Sequence, residues 1–593
     1  MGVYLLVLVL NFSRYGLDFT DESFYLASIA HPDAYALNIP VSLFGFVYHP
    51  IFSLLRGDIG ALRQANILTT FSLGWALSFV IIRQAFAGSQ RSAAQYALLA
   101  LGLAPMSLIS LSAWLITPNY NALTFEALML AVTGLLLLDE PQARLVRIGV
   151  ALVALGGLLT FAAKPTSAAI LAVIFVVYSA FRGARHLRRM AVAGVLAFAM
   201  LLALAVWIDG SPVAFVERLR RSADALRALG SGQELSKIFR IDAPDYTAST
   251  YMIAALAASV VTLVGIGMAR GGRLIRAGGV AVCAGIACVA IWLSVDGWHT
   301  GNQPNSAIFA ISCACVLGAV VARGGQGFSS VPHRQLWLAV VLCMLPHVAA
   351  FGTNNNYWHS GATVAFFWGL AAVVACAAIA SVTQRYLMLL PFVFVMQICA
   401  AVVIDNAISS PYRQPQSLRL NTASFEFPGG GRLVFAEDYR AYLTDAITQA
   451  RSGGLTAGTP MIDLTGRSPG VLYALQTRML GQPWLVGAYP GSDLLAMTSL
   501  DTVDCDDIGR AWLLDEPGGP RNLSVRSVLA HFGADPDRDY VRVGELMTPP
   551  GAGGHPLSYR QYLLKPTRLP SAASAACLAS RASLSARLKE NNK

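Results

Sequence analysis

Three carboxylates crowd into the stretch Tyr15-Gly-Leu-Asp-Phe-Thr-Asp-Glu-Ser-Phe-Tyr25: Asp18, Asp21 and Glu22. They follow an apolar run, Val3 to Leu10, so they stand where an oily segment gives way to water. A carboxylate at such a boundary can act as general base toward a hydroxyl, or hold a divalent cation such as Mg or Mn. A plainer use fits the same residues. Thr20 can cap a helix, with Asp21 and Glu22 in its first turn, stabilised by the helix dipole. The local pattern alone favours the cap.

Other residues invite chemistry. Lys164, in Ala162-Ala-Lys-Pro-Thr166, is a lone cation between two apolar runs. Such a residue is expensive in a membrane and marks function, or else it snorkels to the interface. The stretches Asp296-Gly-Trp-His-Thr-Gly-Asn-Gln-Pro-Asn305 and Gly352-Thr-Asn-Asn-Asn-Tyr-Trp-His359 hold no Lys or Arg but many amides and aromatics. Among them His299, Asn302, Asn355, Trp358 and His359 suit sugar recognition, since amides bond hydroxyls and aromatic faces pack on sugar rings. The alternative is a pair of polar turns with interfacial tryptophans. No spacing around His299 or His359 supports a metal site. Ser468 lacks the Gly-x-Ser-x-Gly form, and the glycine runs 429–431 and 551–554 read as linkers.

These residues need a frame. The chain has 593 residues, 55% hydrophobic and 13% charged, about half the charge of an ordinary soluble domain. The deficit lies in residues 1–404, where apolar runs long enough to span a bilayer alternate with short polar loops. Runs near 65–82, 93–116, 120–138, 147–163, 166–181, 190–208, 250–268, 277–295, 305–322, 335–351, 362–381 and 386–404, with a short N-terminal one, make about thirteen spans. Large loops interrupt them at 18–62 and 209–249; the second contains an amphipathic stretch, 215–229, suited to a bilayer surface or to solvent.

Arg83, Arg91, Arg144, Arg147, Arg182, Arg185, Arg188, Arg189, Arg270, Arg273, Arg276, Arg323, Arg334 and Arg385 fall in one set of alternating loops. The short loops 117–119, 296–304 and 352–361 have no Lys or Arg. This asymmetry predicts a cytoplasmic N-terminus and an extracytoplasmic C-terminal region. It also accounts for the net charge of +10 without nucleic acid. Residues 405–593 read as a soluble α/β domain, with strands at 432–435, 460–464, 484–486 and 511–514, helices at 439–450 and 470–478, and a disordered tail after Pro570. Its two cysteines, Cys505 and Cys577, can pair in an oxidising compartment.

An acidic pair after the first span, a long first outer loop, about thirteen spans and a C-terminal outer domain together resemble the GT-C superfamily of membrane glycosyltransferases. The resemblance rests on the Asp21–Glu22 neighbourhood, and more weakly on Thr117-Pro-Asn-Tyr-Asn121 and Ala162-Ala-Lys-Pro-Thr166. With no WWD-like signature, it points to the aminoarabinose- and protein-mannose-transferring branches. It implies a polyprenyl-phosphate-linked sugar donor, an acceptor that is a lipid, glycan or protein, and inverting displacement in a bacterial inner membrane. Asp21 becomes the first candidate base, with Glu22 and Asp18 as alternatives. Lys164 is the first cation for the leaving phosphate, ahead of Arg218, Arg220 and Arg221, and Tyr120 joins the substrate-binding candidates. A divalent cation is compatible with this chemistry and not demanded by it. The rivals are a transporter or flippase, which needs ionisable groups deep in its spans and repeated halves, and a non-catalytic envelope scaffold.

Overall fold

The computed structural model describes residues 1–86, 92–230, 242–244, 247–296, 304–323, 332–379 and 382–591. Among these, nine helices are long and apolar enough to cross a membrane. Shorter apolar helices at Gly2–Phe12 (α1), Ala307–Ala322 and Phe366–Ile379, with His333–Ala350, stand where the other spans are expected. The pair expected at 147–181 is present as Ala143–Ala163 and Pro165–Arg182. They break at Lys164, whose backbone is extended, because a residue before proline avoids the helical conformation. Tyr120–Leu137 and Leu389–Ser409 are each 72% buried and form the centre of the bundle; Ala184–Asp209 is 11% buried and forms its rim.

Two further helices, α2 (Asp21–Ala30) and α3 (Phe44–Leu54), shape the first outer loop, and α4 (Ile59–Ala85), one of the nine, is its exit. The last of these marks the two ends of the bundle. It starts against Gly431 of the C-terminal region and finishes at Arg83, which pairs with Glu140. Near that far end Arg182 and Arg334 share Asp139. Arg270 and Arg323 donate to the carbonyls of Ala322 and Ile379, placing cations on helix C-termini, where the dipole favours them.

The C-terminal region begins with an antiparallel hairpin, β1 (Ala423–Glu426) and β2 (Arg432–Phe435). A five-stranded mixed sheet of order β4-β3-β5-β7-β6 follows, from β3 (Pro460–Asp463), β4 (Arg478–Met479), β5 (Trp512–Asp515), β6 (Tyr540–Met547) and β7 (Arg560–Pro566). β3 runs parallel to β4 and β5, and β7 antiparallel to β5 and β6. The helix Glu437–Ser452 covers it, and Pro469–Ala474 follows β3.

Two expectations are corrected, and a third stretch is placed. Residues 484–486 are not a strand; Trp484 is tied through its indole N–H to the Gly466 carbonyl at 2.8 Å. The tail after Pro570 is a helix, Pro570–Asn591, held by the Cys505–Cys577 disulfide and by Arg581 donating to Leu500 and Val503 carbonyls at 2.9 Å. Its apolar side is too narrow to register in composition. The amphipathic stretch lies in the helix Pro212–Ala228, whose Phe215, Ser222 and Ala225 are buried. Its Arg218 bonds Asp209 and the Tyr35 carbonyl at 2.7 Å, and the Leu229 carbonyl accepts from Gly491. Phe215, Ser222 and Ala225 thus pack on protein, while Val216 and Arg221 of the same stretch stay exposed.

Candidate functional site

Residues 14–38 form a seam between the helical bundle and the sheet region. Gly16 donates to Val434 at 2.9 Å, Val434 returns a bond to Arg14 at 2.8 Å, and Gly470 donates to Phe19 at 3.0 Å. Phe19 packs on Tyr439 at 4.8 Å, and the Gln482 amide reaches the Leu37 carbonyl at 2.8 Å. The three carboxylates lie in this seam, and there they part.

Glu22 turns into the bundle. Arg63 of α4 meets it at 2.8 Å, with both side chains 0% exposed. Thr117 donates to it from its hydroxyl at 2.6 Å and its amide at 3.1 Å. Arg63 completes the lock by donating to Thr117 and to the carbonyls of Ser13 and Gly16. Glu22 therefore joins α1, α2, α4 and the segment before Tyr120, and has no exposed surface for a substrate.

Asp18 caps. It accepts from the Thr20 amide at 3.1 Å, the Thr20 hydroxyl at 2.8 Å and the Glu22 amide at 3.3 Å. The expected capping role exists, but Asp18 fills it and Thr20 does not, because the Thr20 hydroxyl is drawn to the Asp18 carboxylate. Asp18 too is fully buried.

Asp21 turns outward. Its side chain keeps 24% exposure and pairs with Arg413 at 2.8 Å; the same guanidinium donates to Thr20 at 2.7 Å. Arg413 sits in left-handed backbone (φ 51°), a conformation uncommon away from glycine and often found at functional sites. Tyr412 lies close enough to Asp21 to influence its ionisation. Arg521 interacts electrostatically with Asp21, Tyr412 and Tyr489, lies over the Trp484 ring at 6.0 Å, and forms no ion pair of its own among the described residues. On the bundle side Tyr25 meets Tyr120 edge-on at 5.9 Å, and both meet Phe44. Lys164 stands over the Tyr120 ring at 5.4 Å and donates to the Ala349 carbonyl at 3.0 Å.

Comparison with known proteins adds the following. No family description and no curated protein matches the sequence. Two solved structures are similar in fold: ArnT from Cupriavidus metallidurans bound to undecaprenyl phosphate, at 13% identity, and the same protein in the apo state, at 15%. Each match covers 95% of this chain and 97% of the other, with a TM-score of 0.39.

The remaining predicted residues fall elsewhere. His299 and Asn302 lie outside the described residues. Trp358 donates its indole N–H to the Asp242 carbonyl at 3.0 Å and packs against His347, Phe309 and Trp368, so it serves an aromatic cluster between helices. Asn356 caps that turn, accepting from the Trp358 and His359 amides. The Asn355 amide bonds Thr353, and His359 is exposed. None of these contacts involves the Asp21 group. Among the described residues no three or more His, Cys, Asp or Glu gather as a metal site.

Burial raises the pKa of both Asp18 and Asp21 above the ordinary carboxylate range; the charge of Asp21 adds to the rise at Asp18, and Arg413 opposes it at both. Asp21, in direct contact with the cation, is the member of the pair better kept ionised. Sequence reasoning missed Arg413, Arg521 and Arg63. Arg413 had one signal, a Tyr-Arg pair between Pro411 and Pro415. Arg63 fell between the expected loop and the expected span. Glu126, Arg63 and Asp405 are ionisable groups on span helices; Glu126 accepts from Tyr48 of α3 at 2.9 Å and Thr70 at 3.0 Å.

Proposed function

We propose that this chain is a GT-C-type membrane glycosyltransferase, moving a sugar from a polyprenyl phosphate to an envelope acceptor at the face that carries the sheet region. The observation that supports the reading is the outward carboxylate of Asp21 paired with Arg413, with the Arg521 guanidinium in electrostatic reach, at the junction of bundle and sheet. A base alone fits many reactions. A base beside cations, next to a hydrocarbon-compatible bundle, fits transfer from a lipid phosphate.

In this mechanism Asp21 takes the proton from an acceptor hydroxyl as its oxygen attacks the anomeric carbon. The bond from that carbon to the phosphate oxygen breaks, and the configuration inverts. Arg521 and Arg413 receive the charge that grows on the leaving phosphate, and Lys164 approaches from the bundle side. Tyr25 and Tyr120, packed on each other, form one wall of the sugar site. Glu22 holds the floor of the site, and Asp18 sets the turn that aims Asp21. In the orientation read from the arginine loops, this face is extracytoplasmic in a bacterial inner membrane.

The test is transfer in proteoliposomes from a panel of polyprenyl phosphate sugars to envelope extracts. Wild type, Asp21→Asn and Glu22→Gln are compared at matched folded yield. Transfer that collapses in Asp21→Asn supports the reading. Transfer indifferent to Asp21→Asn removes Asp21 as the base, and no transfer from any donor removes the reading.

A further inference from the structure

The sheet region holds a buried ion pair that this mechanism does not use. Arg467 and Glu516 face each other as a fork, Nε to Oε1 and Nη2 to Oε2, each at 2.8 Å, with side chains 2% and 0% exposed. Removing two charges from water is costly, so such a pair is weak evidence for stability. Its surroundings fix its geometry instead. Glu516 also accepts from Gln561 at 2.8 Å, and Gln561 is itself held by Tyr442 and Ser468. Asp463 sets the turn that carries Arg467, accepting from the amides of Thr465 and Ser468 at 2.9 Å.

The guanidinium nitrogen outside the fork, Nη1, donates to the Ala552 carbonyl at 2.9 Å. Ala552 opens a segment that runs into the site. A Cβ on Gly553 would stand 3.4 Å from the Thr20 methyl and 3.6 Å from Arg467 Nη1, and one on Gly554 would stand 3.0 Å from the Arg413 side chain. Both glycines have positive φ, 63° and 80°, which suits the absence of a side chain. The backbone of this segment thus packs directly against the residue that holds Asp21.

We infer that Arg467 and Glu516 are a positioning pair: through Ala552–Gly554 they set Arg413 against Asp21 and Thr20. The inference takes its purpose from the reading of Asp21 as the base, yet its physical content can be measured without any transfer reaction. Two readouts serve, both on the full chain in nanodiscs. One is amide hydrogen exchange over residues 551–555. The other is the titration of the Asp21 carboxylate, isolated as an infrared difference against Asp21→Asn. The variant is Arg467→Met with Glu516→Leu, which removes both charges together and leaves none buried alone. If it does not fold, Arg467→Lys takes its place, because a lysine keeps the charge but cannot make the fork and reach Ala552 as well.

The expected result has two parts. Exchange over 551–555 rises about tenfold or more while β5 and β7 keep theirs, and the Asp21 titration moves up by about one pH unit as the guanidinium loses its register. A folded variant with unchanged exchange overturns the inference. So does one in which exchange rises and the Asp21 titration stays put, since the pair would then support only the loop. Absence of glycosyl transfer in wild type bears on the proposed function alone.

Discussion

Asp21 and Glu22 are neighbours in sequence, and each meets an arginine at 2.8 Å, yet the two regions they enter behave oppositely. Glu22–Arg63 is closed, with no exposed surface on either side chain. Asp21–Arg413 is open, its members 24% and 19% exposed. A closed pair can be used only once, as a fastening, because parting it leaves a bare charge in a poor solvent. An open pair can exchange partners with a substrate, because water compensates whichever charge is released. Proximity in sequence says little here; the turn made by Asp18 sends consecutive side chains into different media.

The comparison can be broken at either pair. Asp21→Asn should lower glycosyl transfer by about 10²–10⁴-fold with unchanged thermal unfolding; an Asp21→Asn variant that stays active would mean that the open pair carries no base. Glu22→Gln should instead destabilise the bundle by about 3–5 kcal/mol, read as lost folded yield or a lower melting temperature in detergent. A Glu22→Gln protein that is stable but inactive would give the closed pair a chemical role after all. Arg521→Gln should raise KM for the lipid donor by about 10–100-fold, with folding untouched; an unchanged KM would leave Arg413 as the sole cation of the open region.

The smallest effect sharpens the comparison through pH. Burial holds the Asp21 carboxyl above the usual range, and a base must be deprotonated, so transfer should fall as pH drops through that raised value. The acid limb of kcat/KM against pH then lies above that of an ordinary aspartate. Arg413→Ala removes the group that lowers this pKa and should move the limb to still higher pH. A limb that does not respond to Arg413→Ala would break the link between the two residues.

Much of this was legible in the sequence. Apolar runs placed the spans, because a bilayer demands contiguous hydrocarbon over a fixed thickness. The break at Lys164 followed from Pro165. The carboxylates were visible as candidates, but which one faces outward was not. That choice depends on Arg63 and Arg413, which lie far away along the chain and come together only through packing. Trp358 shows why amide- and aromatic-rich loops are ambiguous: the same residue types bind a sugar or pack helices together, and its ring lies in an aromatic cluster. The strand expected at 484–486 failed for a similar reason: an apolar run bounded by prolines carries no information about whether a neighbouring strand is there to pair with it.

The bridge between Tyr15 and Val434 has a consequence in time. The N-terminal carboxylates leave the ribosome early, but the strand that clamps their loop follows about 400 residues later, roughly 20–80 s at ordinary rates of synthesis. Until then the loop before α2 lacks its partner, Arg413 has not been made, and the bundle can insert without a working site. A contact of such long range is slow to form, and here the slowness becomes a schedule: the loop that carries Asp21 is clamped only after Val434 has arrived.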